Sequence, residues 1–189
     1  MVDLRLLAAA VVAASIVCGC SKPDISVSDA QGNKVSVSGD GTKSTFTGAD
    51  GKSATVQSDP SGGVTETVHD DKGTSTFQAG TTLTEADLGL PFYPGSVEKA
   101  SSAVKTDTPE ESVISIARTA PDGPSKVIAF YKDKVKSAVD SLHSGGGTEI
   151  GTLFGKLDSG ADVNVVASRE VGKTETVVSV TVSLKKGKG

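Results

Sequence analysis

Val177-Val178-Ser179-Val180-Thr181-Val182-Ser183-Leu184 alternates without a break. Val178, Val180, Val182 and Leu184 fall on one side, and Val177, Ser179, Thr181 and Ser183 on the other. Side chains of a strand alternate with period two, so residues 175–184 read as a half-buried antiparallel strand. Such a strand needs neighbours. Residues 149–157 and 162–169 have the same character, and Asp158-Ser159-Gly160 and Val171-Gly172-Lys173 supply the turns between them.

Upstream the period changes. Ala120-Pro121-Asp122-Gly123-Pro124-Ser125 has the chemistry of a helix start, with Asp122 as N-cap and Pro124 in the first turn. Val127, Phe130, Tyr131, Val135, Val139 and Leu142 then recur at helical spacing, which predicts one helix running to about Leu142. Lys126, Lys132, Lys134 and Lys136 fall on its other faces as solvated charges, and His143-Ser144-Gly145-Gly146-Gly147 is its flexible exit. Residues 97–105 and 112–119 read as two further strands, joined by Thr106-Asp107-Thr108-Pro109. The order is ββαβββ. The predicted fold is therefore α+β: an antiparallel sheet of about five strands with one helix on one face, occupying residues 84–189.

This domain opens with Thr84-Glu85-Ala86-Asp87-Leu88-Gly89, one capped helical turn, followed by Leu90-Pro91-Phe92-Tyr93-Pro94-Gly95-Ser96. A Pro-x-Tyr-Pro-Gly opening (Pro91, Tyr93, Pro94, Gly95) together with Phe130-Tyr131-Lys132 on a helix resembles a group of small secreted bacterial domains of unassigned role. The resemblance spans residues 90–184 and implies a fold without an activity. Tyr93 is the one ligand-binding candidate, as a ring facing a ligand; the ordinary reading of such a tyrosine is packing of the turn.

Residues 25–80 differ in composition. Gly32, Gly41, Gly51, Gly62 and Gly73 recur in turns that also carry Asp29, Asp40, Asp50, Asp59 and Asp70, with short alternating stretches between them. Glycine following aspartate provides the positive φ of tight hairpin turns, so the segment is predicted to be an up-and-down β meander. Its 56 residues hold nine large apolar ones (Ile25, Val27, Val35, Val37, Phe46, Val56, Val64, Val68, Phe77), against 29 in the 97 residues 88–184. So low a density points to a polar tether, residues 20–83, rather than a domain with its own core. The aspartates lack the fixed ligand spacing of calcium loops, so no metal site is expected, and His69 beside Asp70 and Asp71 reads as a solvated turn.

At the start of the chain, Arg5 precedes an apolar run from Leu6 to Val17, too short to span a bilayer. It ends in Val17-Cys18-Gly19-Cys20, which resembles the bacterial lipobox. The resemblance implies a signal peptide over residues 1–19, cleavage before Cys20, and acylation of Cys20 with fatty acids such as palmitate. Two or three acyl chains hold a protein durably at a membrane where one does not. Ser21, rather than aspartate, implies the outer membrane in a diderm envelope, with the chain on its periplasmic side or surface, and the outer face of the plasma membrane in a monoderm one. Cleavage removes one acid and one base, Asp3 and Arg5, and leaves the net charge at −4. Cys20 is then the only cysteine, so no disulfide framework is available.

A mildly acidic chain without tryptophan lacks the basic surface and stacking rings that nucleic acid requires. No cysteine is free after acylation, the two histidines lie in polar turns, and Glu110-Glu111 sit in a surface turn, so neither an enzyme nor a cofactor is expected. The expectation is a non-enzymatic, lipid-anchored envelope protein that acts as a structural or interaction module with another envelope protein. The alternative is a small-ligand or glycan-binding lipoprotein. A groove near Tyr93 favours the ligand and a flat apolar edge favours the protein.

Overall fold

The structure, a computed structural model, describes residues 24–100 and 102–187. The chain divides into two compact units between Gln78 and Ala79.

The first unit is the expected meander. Strands β1 (Ile25–Ser28), β2 (Lys34–Val37), β3 (Lys43–Thr47), β4 (Ser53–Ser58), β5 (Val64–Asp70) and β6 (Gly73–Ala79) lie side by side in chain order. All five turn glycines have positive φ, from +71° to +124°. Each turn aspartate folds its own loop: Asp29 accepts the backbone N–H groups of Gln31 and Asn33, Asp59 those of Ser61 and Gly63, and Asp40, Asp50 and Asp70 those of Thr42, Lys52 and Lys72. The carboxylates thus replace backbone partners that a two-stranded loop cannot provide.

Register sorts the two faces. Val27, Val35, Phe46, Ala54 and Val68 form one cross-strand row, with Ile25, Val37 and Val56 in the row beside it on the same face. The other face carries Ser26, Ser36, Thr45, Thr55 and Thr67, with Ser26 and Ser36 hydroxyls 3.2 Å apart and those of Thr45 and Thr55 3.1 Å apart.

The second unit overturns the predicted α+β sheet of about five strands. It contains helix α1 (Glu85–Leu88), strands β7 (Val97–Glu98), β8 (Val104–Asp107) and β9 (Glu111–Ala120), helix α2 (Pro124–Lys132), and strands β10 (Lys136–Gly145), β11 (Thr148–Lys156), β12 (Asp162–Glu170) and β13 (Thr176–Lys185). Among the described residues the chain holds thirteen strands of antiparallel sheet and only two short helices. The predicted strand 97–105 is split: β7 pairs with Arg118 and Thr119 and β8 with residues 112–115, while Ser102 bonds Ala117 between them.

The helix accounts for most of the difference. It stops at Lys132, where the Lys134 N–H turns back to the Tyr131 carbonyl and Ser137 adopts φ +53°. Val139 and Leu142, predicted on its apolar face, lie instead in β10 opposite Phe154 and Gly151. Gly146 and Gly147, at φ +60° and +82°, close a two-residue hairpin between β10 and β11, the geometry of a type I′ turn. That hairpin pairs the backbone from Val139 to Gly145 with β11 in unbroken register, a stronger constraint than a helical face with nothing to pack on. The helix start is also shifted by one residue. Gly123 is the N-cap without a side-chain bond, and Asp122 holds Lys126 instead.

The core lies on one face of the order β9-β13-β12-β11. The row Ile116, Val180, Val165, Leu153 is buried under Val127, Ile128 and Tyr131 of α2, with Leu88, Leu90 and Tyr93 joining the same cluster. Gly151 and Gly155 admit this layer closely. A Cβ at Gly151 meets Ile128 Cγ1 at 2.5 Å, and one at Gly155 meets Val135 Cγ2 at 2.7 Å. The next row, Ser115, Thr181, Asn164, Phe154, faces the opposite way.

Candidate functional site

Cys20, the expected acylation site, lies outside the described residues. Tyr93 is in the core: its ring sits edge-on to Phe130 at 5.2 Å, and its hydroxyl donates to Asp122 Oδ2 at 2.8 Å. Burial first, and then the Asp122 carboxylate, push its pKa up to about 12. Arg118 extends the same bracket, with its guanidinium over the Phe92 ring and bonds to the Ser96 hydroxyl and carbonyl. The proline-rich segment is thereby fastened to the sheet and to the start of α2.

Two cavities flank Arg169, a residue the sequence reading did not single out. One, about 280 Å³, lies between the start of α2 and β10, lined by Pro124, Ser125, Leu142, His143, Glu149 and Arg169. The other, about 520 Å³, is lined by Thr148, Ser168, Arg169, Lys173, Glu175 and Val177 among others. The Arg169 guanidinium donates to Glu149 Oε2 at 3.0 and 2.5 Å, so its charge is compensated inside the protein. A Cβ at Gly123 meets Arg169 Nη2 at 2.9 Å, so glycine lets the chain pass over the ion pair. Fully buried Thr176 donates to the Asp122 carbonyl at 2.6 Å and fixes β13 to the same corner. The signal for Arg169 was present in the alternation Val163, Val165, Ala167, Arg169, which puts a cation on the apolar side of a strand.

The third feature is the free edge of the sheet. β10 pairs with β11 and, among the described residues, with nothing on its other side. Val139 is 69% exposed, Leu142 55% and Phe154, across from Val139, 54%. Asn164, the next residue along the row from Phe154, has a buried Oδ1 with no hydrogen-bond partner. The charges nearby are paired locally: Lys132 with Asp140 at 2.7 Å, Lys136 with Asp158 at 2.7 Å and Lys126 with Asp122 at 2.9 Å, while Lys134 lies over the Phe130 ring. The surface the edge offers is consequently apolar and backbone-polar rather than electrostatic.

His69 Nδ1 lies 2.8 Å from the Thr74 hydroxyl, and His143 is on β10, so the two histidines serve different places. Among the described residues no three His, Cys, Asp or Glu side chains are grouped to hold a metal ion, and no helix is long and apolar enough to cross a membrane. No protein family, curated protein or solved structure matches this chain.

Proposed function

We propose that the chain is a non-catalytic, lipid-anchored protein of the bacterial outer membrane, held through Cys20, whose second unit docks another envelope protein. The observation that carries this reading is the free edge of β10, where Val139 and, across from it, Phe154 are more than half exposed on one face and Leu142 on the other, beside unpaired backbone groups. Exposed strand edges bearing apolar residues are sites at which a partner adds contacts, and natural sheets otherwise protect them.

The test is crosslinking in intact cells, followed by capture of the tagged chain and mass spectrometry. A partner present with the natural chain and lost with both Cys20→Ala and Val139→Lys supports anchored docking. Recovery of the same partner with Val139→Lys rules out the β10 edge.

The cavities beside Arg169 favour a second reading, a small-ligand module. Its weakness is that Glu149 already occupies the guanidinium. Saturable binding of a small ligand, abolished by Arg169→Gln and unaffected by Val139→Lys, replaces the first reading with this one.

A further inference from the structure

The first unit has a free edge of its own. β1 pairs with β2 and, among the described residues, with nothing else, and its apolar side chains Ile25 and Val27 are 53% and 63% exposed. Within the strand there is no lysine, proline or bulge to blunt the edge; its shortness, four residues, is the one protective device it has. Its sequence, Ile25-Ser26-Val27-Ser28, is complementary to itself when two copies run antiparallel with Ser26 opposite Ser26. Directly opposed residues of an antiparallel pair share a face. Ile25 then meets Val27 of the second copy, twice, on one face. On the other face the two Ser26 hydroxyls meet and continue the ladder that Ser26 already makes with Ser36. Asp24 falls opposite Ser28, so no like charges face each other.

We propose that two copies of this chain join edge to edge through β1, about a two-fold axis at Ser26. A two-fold contact closes on itself and stops at a dimer. The apolar rows Ile25/Val37 and Val27/Val35 of both copies merge into one band, and the free backbone groups of both edges are satisfied. Four paired residues bury far less than the roughly 800 Å² per partner of a stable interface, so the contact depends on copies being concentrated in a plane. In that respect the inference rests on the anchoring at Cys20, five residues before Ile25.

The experiment uses the full chain in intact cells, oxidised with diamide, with cysteine placed at Ser26, Ser28 or Ser61 in turn. Opposed residues lie close enough for a disulfide, whereas the two copies of Ser28 are about 13 Å apart along the strand in this register. The expected result is a disulfide dimer with Ser26→Cys, several-fold above Ser28→Cys, Ser61→Cys and the parent chain, and lost when Val27→Lys is added. Equal yields from Ser26→Cys and Ser28→Cys, or a Ser26→Cys thiol that reacts with maleimide yet gives no dimer, overturns the pairing. Fatty-acid labelling of the same cells separates the two readings. A labelled chain that does not dimerise overturns the β1 contact alone, and an unlabelled chain overturns the anchoring.

Discussion

The Tyr93 hydroxyl donates a 2.8 Å hydrogen bond to Asp122 Oδ2, across 29 residues of sequence, while Thr176 donates to the carbonyl of the same Asp122. One residue therefore joins the proline-rich segment, the start of α2 and the start of β13. Lys126 first, and then Tyr93, hold the Asp122 carboxyl below its ordinary pKa, so the acceptor stays ionised.

Removing either donor tests this joint. Tyr93→Phe keeps the ring against Phe130 and loses one hydrogen bond, at a cost of about 1–2 kcal/mol; Thr176→Val leaves the half-buried Asp122 carbonyl without this partner and costs about 1–2 kcal/mol. Because both act on Asp122, the double variant is expected to depart from additivity by about 0.5 kcal/mol or more. Urea unfolding of the four proteins in the cycle measures it, and strict additivity removes the joint.

The two tyrosines of the chain offer an alkaline readout. Burial pushes both Tyr93 and Tyr131 up to about 12. An unfolded tyrosine loses its proton near pH 10, so between about pH 10 and 12 the unfolded chain binds fewer protons than the folded one. Stability is unaffected below that window and falls as pH rises through it. Absorbance of tyrosinate is expected to appear only together with unfolding; a free titration near pH 10 with the fold intact contradicts the burial.

Much of this architecture was legible locally. The meander announced itself because each turn carries its own chemistry, an aspartate to bond the loop and a glycine at positive φ, and neither needs a distant partner. Strands β11, β12 and β13 were legible for the same reason, through alternation and turns such as Asp158-Ser159-Gly160. β10 was not. Val139 and Leu142 suit a helical face as well as a strand, and the choice is made by pairing with residues 148–156, which no local pattern reports. The Arg169 corner was missed for a different reason: Gly123, Glu149, Arg169 and Thr176 are far apart in sequence and meet only after the sheet is built.

Acid bears on the meander through its turns. The Ser38 hydroxyl, followed by the Thr42 N–H and hydroxyl, holds Asp40 down at about 2, and hydrogen bonds led by Asn33 and Ser61 lower Asp29 and Asp59. For a depressed carboxylate the stabilising contribution is complete above the unfolded value near 4 and is lost as pH falls through the folded one. The expected outcome is a first unit indifferent to pH above about 5 whose turns open between about pH 4 and 2. Amide exchange at Thr42, Asn33 and Gly63 reads the change directly, and protection that persists unchanged at pH 2 refutes the role given to these carboxylates.

Gly151 tests how closely α2 rests on β11. A Cβ there lies 2.5 Å from Ile128 Cγ1 and 3.1 Å from Leu142 Cδ2. Leu142 is exposed and swings aside, but Ile128 is held in the core, so the strain falls on the helix. Gly151→Ala is expected to destabilise the second unit by about 1–3 kcal/mol through overpacking. Ile128→Ala, which removes Cγ1 itself, should recover part of that loss in Gly151→Ala while costing about 2–5 kcal/mol by itself. Chemical denaturation of the single and double variants decides the matter. If Gly151→Ala is neutral, or Ile128→Ala adds its full cost on top, helix and strand do not approach as closely as the Gly151 contact requires.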